Sequence, residues 1–80
     1  MMKARVIVTL KPGVLDPQGK AIEGALKGLA VDGLKSVRQG KIFDIEIDGE
    51  EQAAARQKLA EACERLLANT IVENYAIEIG

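Results

Sequence analysis

The stretch LKPGVLDPQG, Leu10–Gly19, contains both prolines of the chain and separates two segments with different hydrophobic periods. Residues 4–10 before it are rich in Val, Ile and Thr, and their alternation is typical of a half-buried strand. The two faces of that strand are Arg5, Ile7 and Thr9 on one side and Val6, Val8 and Leu10 on the other. After the stretch, apolar residues recur at helical spacing, at Ile22, Ala25, Leu26 and Leu29. The chain must therefore change from strand to helix between Leu10 and Gly19.

The residues inside this stretch predict a tight turn followed by the start of a helix. Lys11–Val14 fits a type II turn, because Pro supplies a φ of about −65° and the following Gly accepts a positive φ. Asp16 precedes Pro17; an Asp side chain accepts hydrogen bonds from free first-turn amides, and Pro at the first helical position loses no needed donor. We therefore expect Asp16 to cap the first helix, whose charged residues would face solvent: Lys20, Glu23 and Lys27.

Glycines occur in the predicted helix at positions where alanine would stabilise it more. Gly19 lies in the first turn, where Gly costs roughly 0.5–1 kcal/mol relative to Ala. We therefore expect another backbone or a ligand to come close to Gly19. Gly24 and Gly28 share one face of the helix, where either a partner's helix or strand, or packing within the chain, would use the space.

Residues 34–48, LKSVRQGKIFDIEID, fit two arrangements. They form either two strands joined by a tight turn at Gln39–Gly40, or one long strand interrupted by a glycine bulge. In the second half, apolar and acidic side chains alternate, which predicts one buried and one solvent-facing side. The alternating sets are Phe43, Ile45 and Ile47 against Asp44, Glu46 and Asp48.

The rest of the chain predicts a second helix and a last strand. We expect Asp48 to cap this helix, with Glu50 and Glu51 in the first turn, where the helix dipole favours anions. Asn69 would end it in the left-handed conformation, and residues 71–79 would return to the sheet. The predicted buried stripe of the helix consists of Ala55, Leu59, Ala62, Cys63 and Leu66.

These elements predict an α+β fold over one domain, residues 1–80. The economical arrangement is a two-layer sandwich, ferredoxin-like or a related β-α-β(-β)-α-β order, with an antiparallel-rich sheet and two helices on one face. A chain of 80 residues buries only about 60% of its unfolded surface, and this one has two aromatic side chains. We therefore expect a homodimer or higher homo-oligomer, formed through sheet edges or the outer sheet face, where Ile42, Val72 and Ala76 would otherwise be wet.

The composition argues against several functional classes. The 11 basic and 12 acidic residues are spread without a run of one sign, which argues against nucleic-acid and membrane-surface partners. The chain has no His, and Ser36 is its only serine, so a nucleophilic triad cannot be assembled. We expect no metal site, no phosphate loop, and Cys63 as a small buried hydrophobe. Without a signal peptide or an apolar stretch of ~20 residues, the expected location is cytoplasmic.

Three blocks of the sequence together resemble the PurS family, the small subunit of phosphoribosylformylglycinamidine synthase. They are VTLKPGVLDPQGKAIEGAL (Val8–Leu26), VRQGK (Val37–Lys41) and LLANTIVENYAIE (Leu66–Glu78). The first block is specific, because DPQG after an LKPGV turn is not a generic helix cap. The chain departs from the family at Thr70, where proline is common, and at LAVDGL, where LGFDGV is usual. The first departure would loosen the start of the last strand, and the second would remove an aromatic from the core.

The resemblance implies a non-catalytic assembly subunit in purine biosynthesis. Family members dimerise and join a large ATP-dependent synthetase to a glutaminase. The assembled enzyme converts formylglycinamide ribonucleotide, glutamine and ATP to formylglycinamidine ribonucleotide, glutamate, ADP and phosphate. It uses ATP and Mg, neither of which is expected to bind to this chain. A small subunit between the two would order their interface and shield the ammonia that passes from one to the other.

The resemblance also assigns candidate partner-binding residues. Lys11 and Gln18 are expected to face a partner, and Asp16 to cap the helix. Arg38 and Lys41 would either pair with carboxylates on the synthetase or remain solvated charges. The full set carried over from the two motifs is Lys11, Gly13, Asp16, Pro17, Gln18, Gly19, Arg38, Gly40 and Lys41.

Two other functions fit the same fold class. A small-molecule-binding regulatory module would hold an effector at its helix ends and loops, and the isolated chain would then bind one metabolite saturably. A small phosphatase-like enzyme would need a basic phosphate cradle and a positioned polar side chain, for which Lys11 and Gly13 give little support.

Overall fold

The computed structural model describes residues 1–80 and has the element order β-α-β-α-β. The elements are β1 (Met2–Leu10), α1 (Pro17–Gly28), β2 (Gly40–Ile47), α2 (Gln52–Ala62) and β3 (Glu73–Ile79). The strands form one sheet in the order β2-β1-β3, with both pairs antiparallel. This confirms the predicted α+β fold. None of the helices combines the length and the apolar character that crossing a membrane requires.

The sheet has an apolar inner face and a mixed outer face, on which Ile7 lies opposite Ile42 and Ala76. On the inner face, Val6 of the central strand lies opposite Phe43 and Ile77. On the outer face, Arg5 lies opposite Asp44 and donates a hydrogen bond to its carboxylate at 2.9 Å. The alternation predicted for β1 and for the second half of residues 34–48 is therefore confirmed.

The second helix supplies most of the core that covers this inner face. Cys63 is fully buried against Val6 and Val8, and Leu59 is nearly so. Arg56 donates a hydrogen bond to the Ile77 carbonyl at 2.9 Å, which places α2 along β3.

The predicted stripe of α2 is correct except at its end. Ala55, Leu59 and Cys63 are buried, but Leu66 is 83% exposed. The helix continues from Cys63 to Leu67 as a π-helical turn, closed by the Ala68 amide on the Cys63 carbonyl at 3.0 Å. The wider turn rotates Leu66 outward, so that Leu67 packs on the core in its place.

Helix α1 extends beyond the end of the sheet instead of covering it. It makes only marginal contact with the strands and with α2. The longest dimension of the chain, 48 Å, matches the length of a 9-residue strand followed by a 12-residue helix, ~30 Å and ~18 Å. The radius of gyration is 15.9 Å, against about 12 Å for a compact chain of this length.

The predicted burial of α1 is accordingly wrong. Ile22 is 41% exposed and Leu29 74%, and Ala25 is also exposed, whereas Glu23, expected in solvent, is buried. Val31, the residue of LAVDGL at the family's aromatic position, is 45% exposed and does not belong to the core. The periodicity identified the helix correctly but not the surface that its apolar side chains meet.

Residues 34–48 form neither of the two predicted arrangements. Only the part from Gly40 onward is a strand, and residues 34–39 are not paired in the sheet. Gly40 is not in a left-handed bulge conformation. A Cβ at Gly40 would lie 2.6 Å from the Val8 carbonyl oxygen, so the close approach of β1 explains the glycine.

The predicted boundaries of α2 also differ from the observed ones. Glu51, not Asp48, precedes the first helical residue, and no side chain caps the helix, because Gly49 turns the chain at φ +116° before it. Glu50 and Glu51 therefore lie outside the first turn. Asn69 is not left-handed; its side-chain oxygen accepts a hydrogen bond from the Ile71 amide at 3.2 Å, and β3 begins later, at Glu73.

Helix α1 ends in a Schellman motif with an unusual residue at its left-handed position. The Val31 amide donates to the Leu26 carbonyl at 3.2 Å, and the Ala30 amide donates to the Lys27 carbonyl at 3.1 Å. Ala30 has a φ of +59° and is the only non-glycine residue with a positive φ. Glycine normally occupies this position because a Cβ is strained there.

We predict that Ala30→Gly stabilises the isolated chain by about 1 kcal/mol, because it removes the strained Cβ. The matched control is Ala54→Gly, the same substitution at an exposed position inside α2. It should destabilise the chain by about 1 kcal/mol, since glycine weakens a helix interior. Urea unfolding of the three proteins gives both values, and a loss of stability in both variants would contradict the prediction.

Candidate functional site

The residues predicted as partner-binding come together at one end of the sheet, where β1 ends and β2 begins. Thr9 of β1 is directly paired with Gly40 of β2. The motif that follows Thr9 and the motif that contains Gly40 are therefore neighbours. We call this group the end cluster; it consists of Lys11, Gly13, Asp16, Pro17, Gln18, Gly19, Arg38, Gly40 and Lys41.

The loop between β1 and α1 has the predicted turn. The Val14 amide donates to the Lys11 carbonyl at 3.1 Å, and Gly13 has a φ of +87°, as a type II turn requires. The Lys11 amide donates in turn to the Val72 carbonyl at 2.9 Å. This bond ties the loop to the segment that leads into β3.

Asp16 joins α1 to the segment before β2. Its side chain is 5% exposed; Oδ1 accepts from the Gly19 amide at 2.9 Å, and Oδ2 accepts from the Gln39 amide at 2.7 Å. The first bond confirms the predicted cap, and the second was not predicted. The Gln39 and Gly19 N–H groups, with the charge of Arg38, lower the pKa of the Asp16 carboxyl below its ordinary value, although burial opposes this.

The residues next to Gln39 also bind the loop and the helix. The Arg38 guanidinium donates to the Val14 carbonyl at 2.8 Å and to the Lys11 carbonyl at 3.2 Å. The Val37 amide donates to Glu23 Oε1 at 3.2 Å. We call Val37–Gln39 the strap, because these consecutive residues hold the turn, the helix start and the side of α1 in fixed relation.

Glu23 makes a contact with the strap that the sequence interpretation missed. It was expected in solvent but is 8% exposed and faces the strap. Burial disfavours its charge, yet Lys20 and Lys27, at 3.7 and 3.6 Å, and the Val37 amide outweigh burial and lower its pKa. In the sequence, the lysines one turn before and one turn after Glu23 were the signal that this carboxylate is paired.

The glycines of α1 have different surroundings. A Cβ at Gly19 would lie 2.5 Å from the Val37 carbonyl oxygen, so the predicted close approach of a backbone is confirmed, and the strap provides it. Nothing lies within 4 Å of a Cβ at Gly24 or Gly28. Packing within the chain therefore does not explain those two glycines.

Four members of the end cluster, Asp16, Gln18, Gly40 and Lys41, line a shallow cavity of about 240 Å³. Gln18 and Lys41 lie at its rim, and the Lys41 ammonium is 3.9 Å from Glu73 Oε2. Pro17, Gly13 and Gln18 are exposed, whereas Lys11 is half-buried. Arg38 has two donors bound to carbonyls of its own chain, which leaves Lys41 and Gln18 as the more available polar groups.

The end cluster contains no Ser, Thr, Cys or His. Cys63 lies in the core, as predicted, where burial and the neighbouring Glu64 raise the pKa of its thiol. No group of His, Cys, Asp or Glu residues in the chain is arranged to hold a metal ion.

The sequence matches one known family along almost its entire length. The model for PurS, described as phosphoribosylformylglycinamidine (FGAM) synthase, matches residues 3–80. The PurS subunit of this synthase from Synechocystis is 45% identical over 75 residues, which cover 94% of this chain and 75% of that protein. The PurS subunit from Mycobacterium leprae is 47% identical over 77 residues, which cover 96% and 94%.

Solved structures agree with this match. The crystal structure of Methanocaldococcus jannaschii PurS, one of the subunits of formylglycinamide ribonucleotide amidotransferase, superposes with a TM-score of 0.91. It is 38% identical and covers 100% of this chain and 96% of that one. A chain in the structure of PurLQS from Thermotoga maritima gives a TM-score of 0.90 at 32% identity, covering 99% and 96%.

We predict that Gly19→Ala destabilises the chain by roughly 1–3 kcal/mol, because the added methyl group meets a backbone carbonyl that cannot move away freely. Gly24→Ala, in the same helix with open space around it, should stabilise the isolated chain by roughly 0.5–1 kcal/mol. Urea unfolding distinguishes the two. Equal effects of the two substitutions would show that the strap does not approach Gly19 in solution.

We predict that acid destabilises the chain through Asp16. The pKa of its carboxyl is lower in the folded chain than in the unfolded one, so the carboxylate stabilises the fold above its unfolded pKa of about 3.9. This stabilisation is lost as the pH falls through the lower, folded pKa. The unfolding free energy should therefore decrease below about pH 4, less steeply in Asp16→Asn. Asp48→Asn, which removes an exposed carboxylate, is the matched control, and an Asp16→Asn slope equal to that of the wild type would refute the assignment.

Proposed function

Since the chain belongs to the PurS family and is a subunit of phosphoribosylformylglycinamidine synthase in purine biosynthesis, we propose that it is the non-catalytic subunit that joins synthetase to glutaminase. The observation that carries this proposal is the end cluster, a polar surface in which Asp16 and Arg38 connect the two motifs through hydrogen bonds to main-chain groups. The likeness to a chain of the Thermotoga PurLQS structure supports partners of the PurL and PurQ type.

In this proposal the end cluster acts by presenting a pre-organised surface. Asp16 and Arg38 fix the loop and the helix start from within, so the exposed residues lose little freedom when a partner binds. Gln18, Lys11 and Lys41 then make the contacts, with Lys41 meeting a carboxylate of the partner. Arg38 serves mainly as a positioning residue, because its guanidinium is bound to carbonyls of the loop.

The proposal assigns ATP and Mg to the synthetase subunit. The glutaminase would release ammonia from glutamine, and the synthetase would use ATP to attach that ammonia to formylglycinamide ribonucleotide. The present chain orders the contact between the two subunits and keeps the ammonia from escaping. A cytoplasmic location is part of the proposal, and the free Cys63 thiol is compatible with a reducing compartment.

We further propose that the chain works as a homodimer or a higher homo-oligomer. Only 10 of the 80 residues are buried, and Ile42 on the outer sheet face is 56% exposed. A core this small gives a marginally stable monomer, and association would bury more apolar surface. The sheet edges and the outer face were the surfaces expected from sequence, and they stay a prediction.

The test of this function is product formation by the matching synthetase and glutaminase, with and without the chain, from either glutamine or free ammonia. We expect the chain to raise the glutamine-dependent rate and to leave the ammonia-dependent rate nearly unchanged. A chain that changes neither rate is not the coupling subunit.

We predict that Gln18→Ala weakens assembly with the other subunits by about 3- to 30-fold without changing stability. An exposed amide adds little to folding but makes directional hydrogen bonds across an interface. Gln57→Ala is the matched control, since Gln57 is also an exposed helical glutamine but lies on α2. Titration of the complex and urea unfolding give the two quantities. Unchanged affinity in Gln18→Ala would remove this residue from the interface.

A further inference from the structure

Residues 66–72 lead from the second helix into β3, and we call them the entry segment. Two of their side chains, Leu66 and Ile71, are each 83% exposed, which is more than any other large apolar side chain of the protein. The sequence of the segment, LLANTIV, contains no charged residue. The entry segment therefore places two large apolar side chains in solvent without a charged neighbour inside the segment.

Hydrogen bonds around Asn69 fix the backbone of the entry segment. The Asn69 amide donates to Glu73 Oε1 at 2.7 Å, and the Asn69 carbonyl accepts from the Val72 and Glu73 amides at 3.0 and 2.7 Å. The Ile71 amide donates to Asn69 Oδ1 at 3.2 Å. Because the backbone is already ordered, the segment loses little conformational freedom when a partner covers its apolar side chains.

The π-helical turn at the end of the second helix is what exposes Leu66. In a regular α-helix, Leu66 would lie on the same side as Cys63, three residues before it. The π-helical turn, closed by the Ala68 amide on the Cys63 carbonyl, rotates Leu66 outward and leaves Leu67 on the core. Such turns are rare and are frequent at functional sites. The unusual helix geometry and the exposed leucine therefore coincide.

The entry segment adjoins the end cluster. The Lys11 amide donates to the Val72 carbonyl at 2.9 Å, and the Lys41 ammonium lies 3.9 Å from the carboxylate of Glu73, the residue that follows the segment. Glu73 lines the cavity beside Gln18 and also a second cavity of about 310 Å³, which Lys11 and Glu73 share with the segment. The polar end cluster and the apolar entry segment are therefore parts of one continuous surface.

We propose that Leu66 and Ile71 insert into an uncharged apolar pocket on the same partner subunit that Gln18 and Lys41 contact. This inference rests on the proposed function and adds an apolar contact to the polar contact of the end cluster. Specific interfaces combine an apolar centre with a polar rim, and the two parts of this surface have those characters. Because the entry segment is uncharged, no charge of the segment has to be desolvated when the pocket covers it.

The first test is the affinity of the full chain for the purified synthetase and glutaminase subunits, under the conditions of the rate assay. Leu66→Gln keeps a helix-forming residue of similar length, and Ile71→Thr keeps the branch at Cβ. We expect each substitution to raise the dissociation constant of the complex by about tenfold or more, because an apolar side chain no longer fills the pocket. Urea unfolding should be unchanged, since both side chains are exposed in the isolated chain.

The matched control is Ile42→Thr, because Ile42 is also an exposed isoleucine but lies on the outer sheet face. We expect this variant to bind the partner subunits with wild-type affinity. Wild-type affinity in both Leu66→Gln and Ile71→Thr would overturn the inference. An equal loss of affinity in Ile42→Thr would overturn it as well.

The second test distinguishes a different subunit from a second copy of this chain. Sedimentation equilibrium of Leu66→Gln and Ile71→Thr, without the other subunits, measures the self-association of each variant. We expect the wild-type dissociation constant between copies, since the entry segment is proposed to face a different protein. Weakened self-association would show that copies of this chain cover the segment, and would overturn the inference.

The third test identifies the subunit that is contacted. The photoreactive residue benzoylphenylalanine replaces Leu66 in one sample and Gln18 in another, and each saturated complex is illuminated. We expect both positions to crosslink to the same subunit, with position 66 joined to an apolar peptide. Crosslinks from the two positions to different subunits, or from position 66 to another copy of this chain, would overturn the inference.

These outcomes are distinguishable from failure of the proposed function. A chain that binds its partner through the entry segment but does not raise the glutamine-dependent rate would refute the coupling function alone. A chain that raises that rate, while both variants bind as tightly as the wild type, would refute the entry-segment contact alone. A chain that binds neither subunit would refute both.

Discussion

The buried carboxylate of Asp16 is the constraint on which the rest of the arrangement depends. It closes the first turn of α1 through Gly19 and binds the segment before β2 through Gln39. A single ionised group thereby sets the angle between the first helix and the sheet. Because a charged acceptor binds N–H donors more strongly than a neutral one, these two hydrogen bonds hold α1 in place without apolar packing. Arg38 adds a hydrogen bond to the loop, and Glu23 accepts one on the side of the helix.

These polar contacts between α1 and the segment before β2 have consequences for the whole molecule. It leaves the apolar side of α1 without a covering element, and it leaves the inner face of β2 without a helix. The isolated chain is therefore long and sparsely buried. Membership of the PurS family identifies the larger enzyme to which the chain belongs as phosphoribosylformylglycinamidine synthase.

Most of the secondary structure and part of the end cluster were predictable from sequence, because they depend on neighbouring residues. The type II turn at Lys11–Val14, the Asp16 cap and the alternation of β1 are local, and all three are confirmed. The approach of a backbone to Gly19 was also predicted, from the cost of glycine in a helix. The errors occur where a distant contact overrides the local pattern. Leu66 is exposed because a π-helical turn shifts the register, and Glu23 is buried because the strap passes over it.

The sequence by itself determined the α+β class, the position of both helices and of the first strand, and the resemblance to PurS, since these follow from periodicity and motif. Only the tertiary structure decided that the two motifs form one cluster, that residues 34–39 leave the sheet, and that α1 points away from it. The reason is physical. Periodicity states which side of a helix is apolar, but the partner of that side is fixed by hydrogen bonds between residues far apart in the chain, such as Asp16 with Gln39.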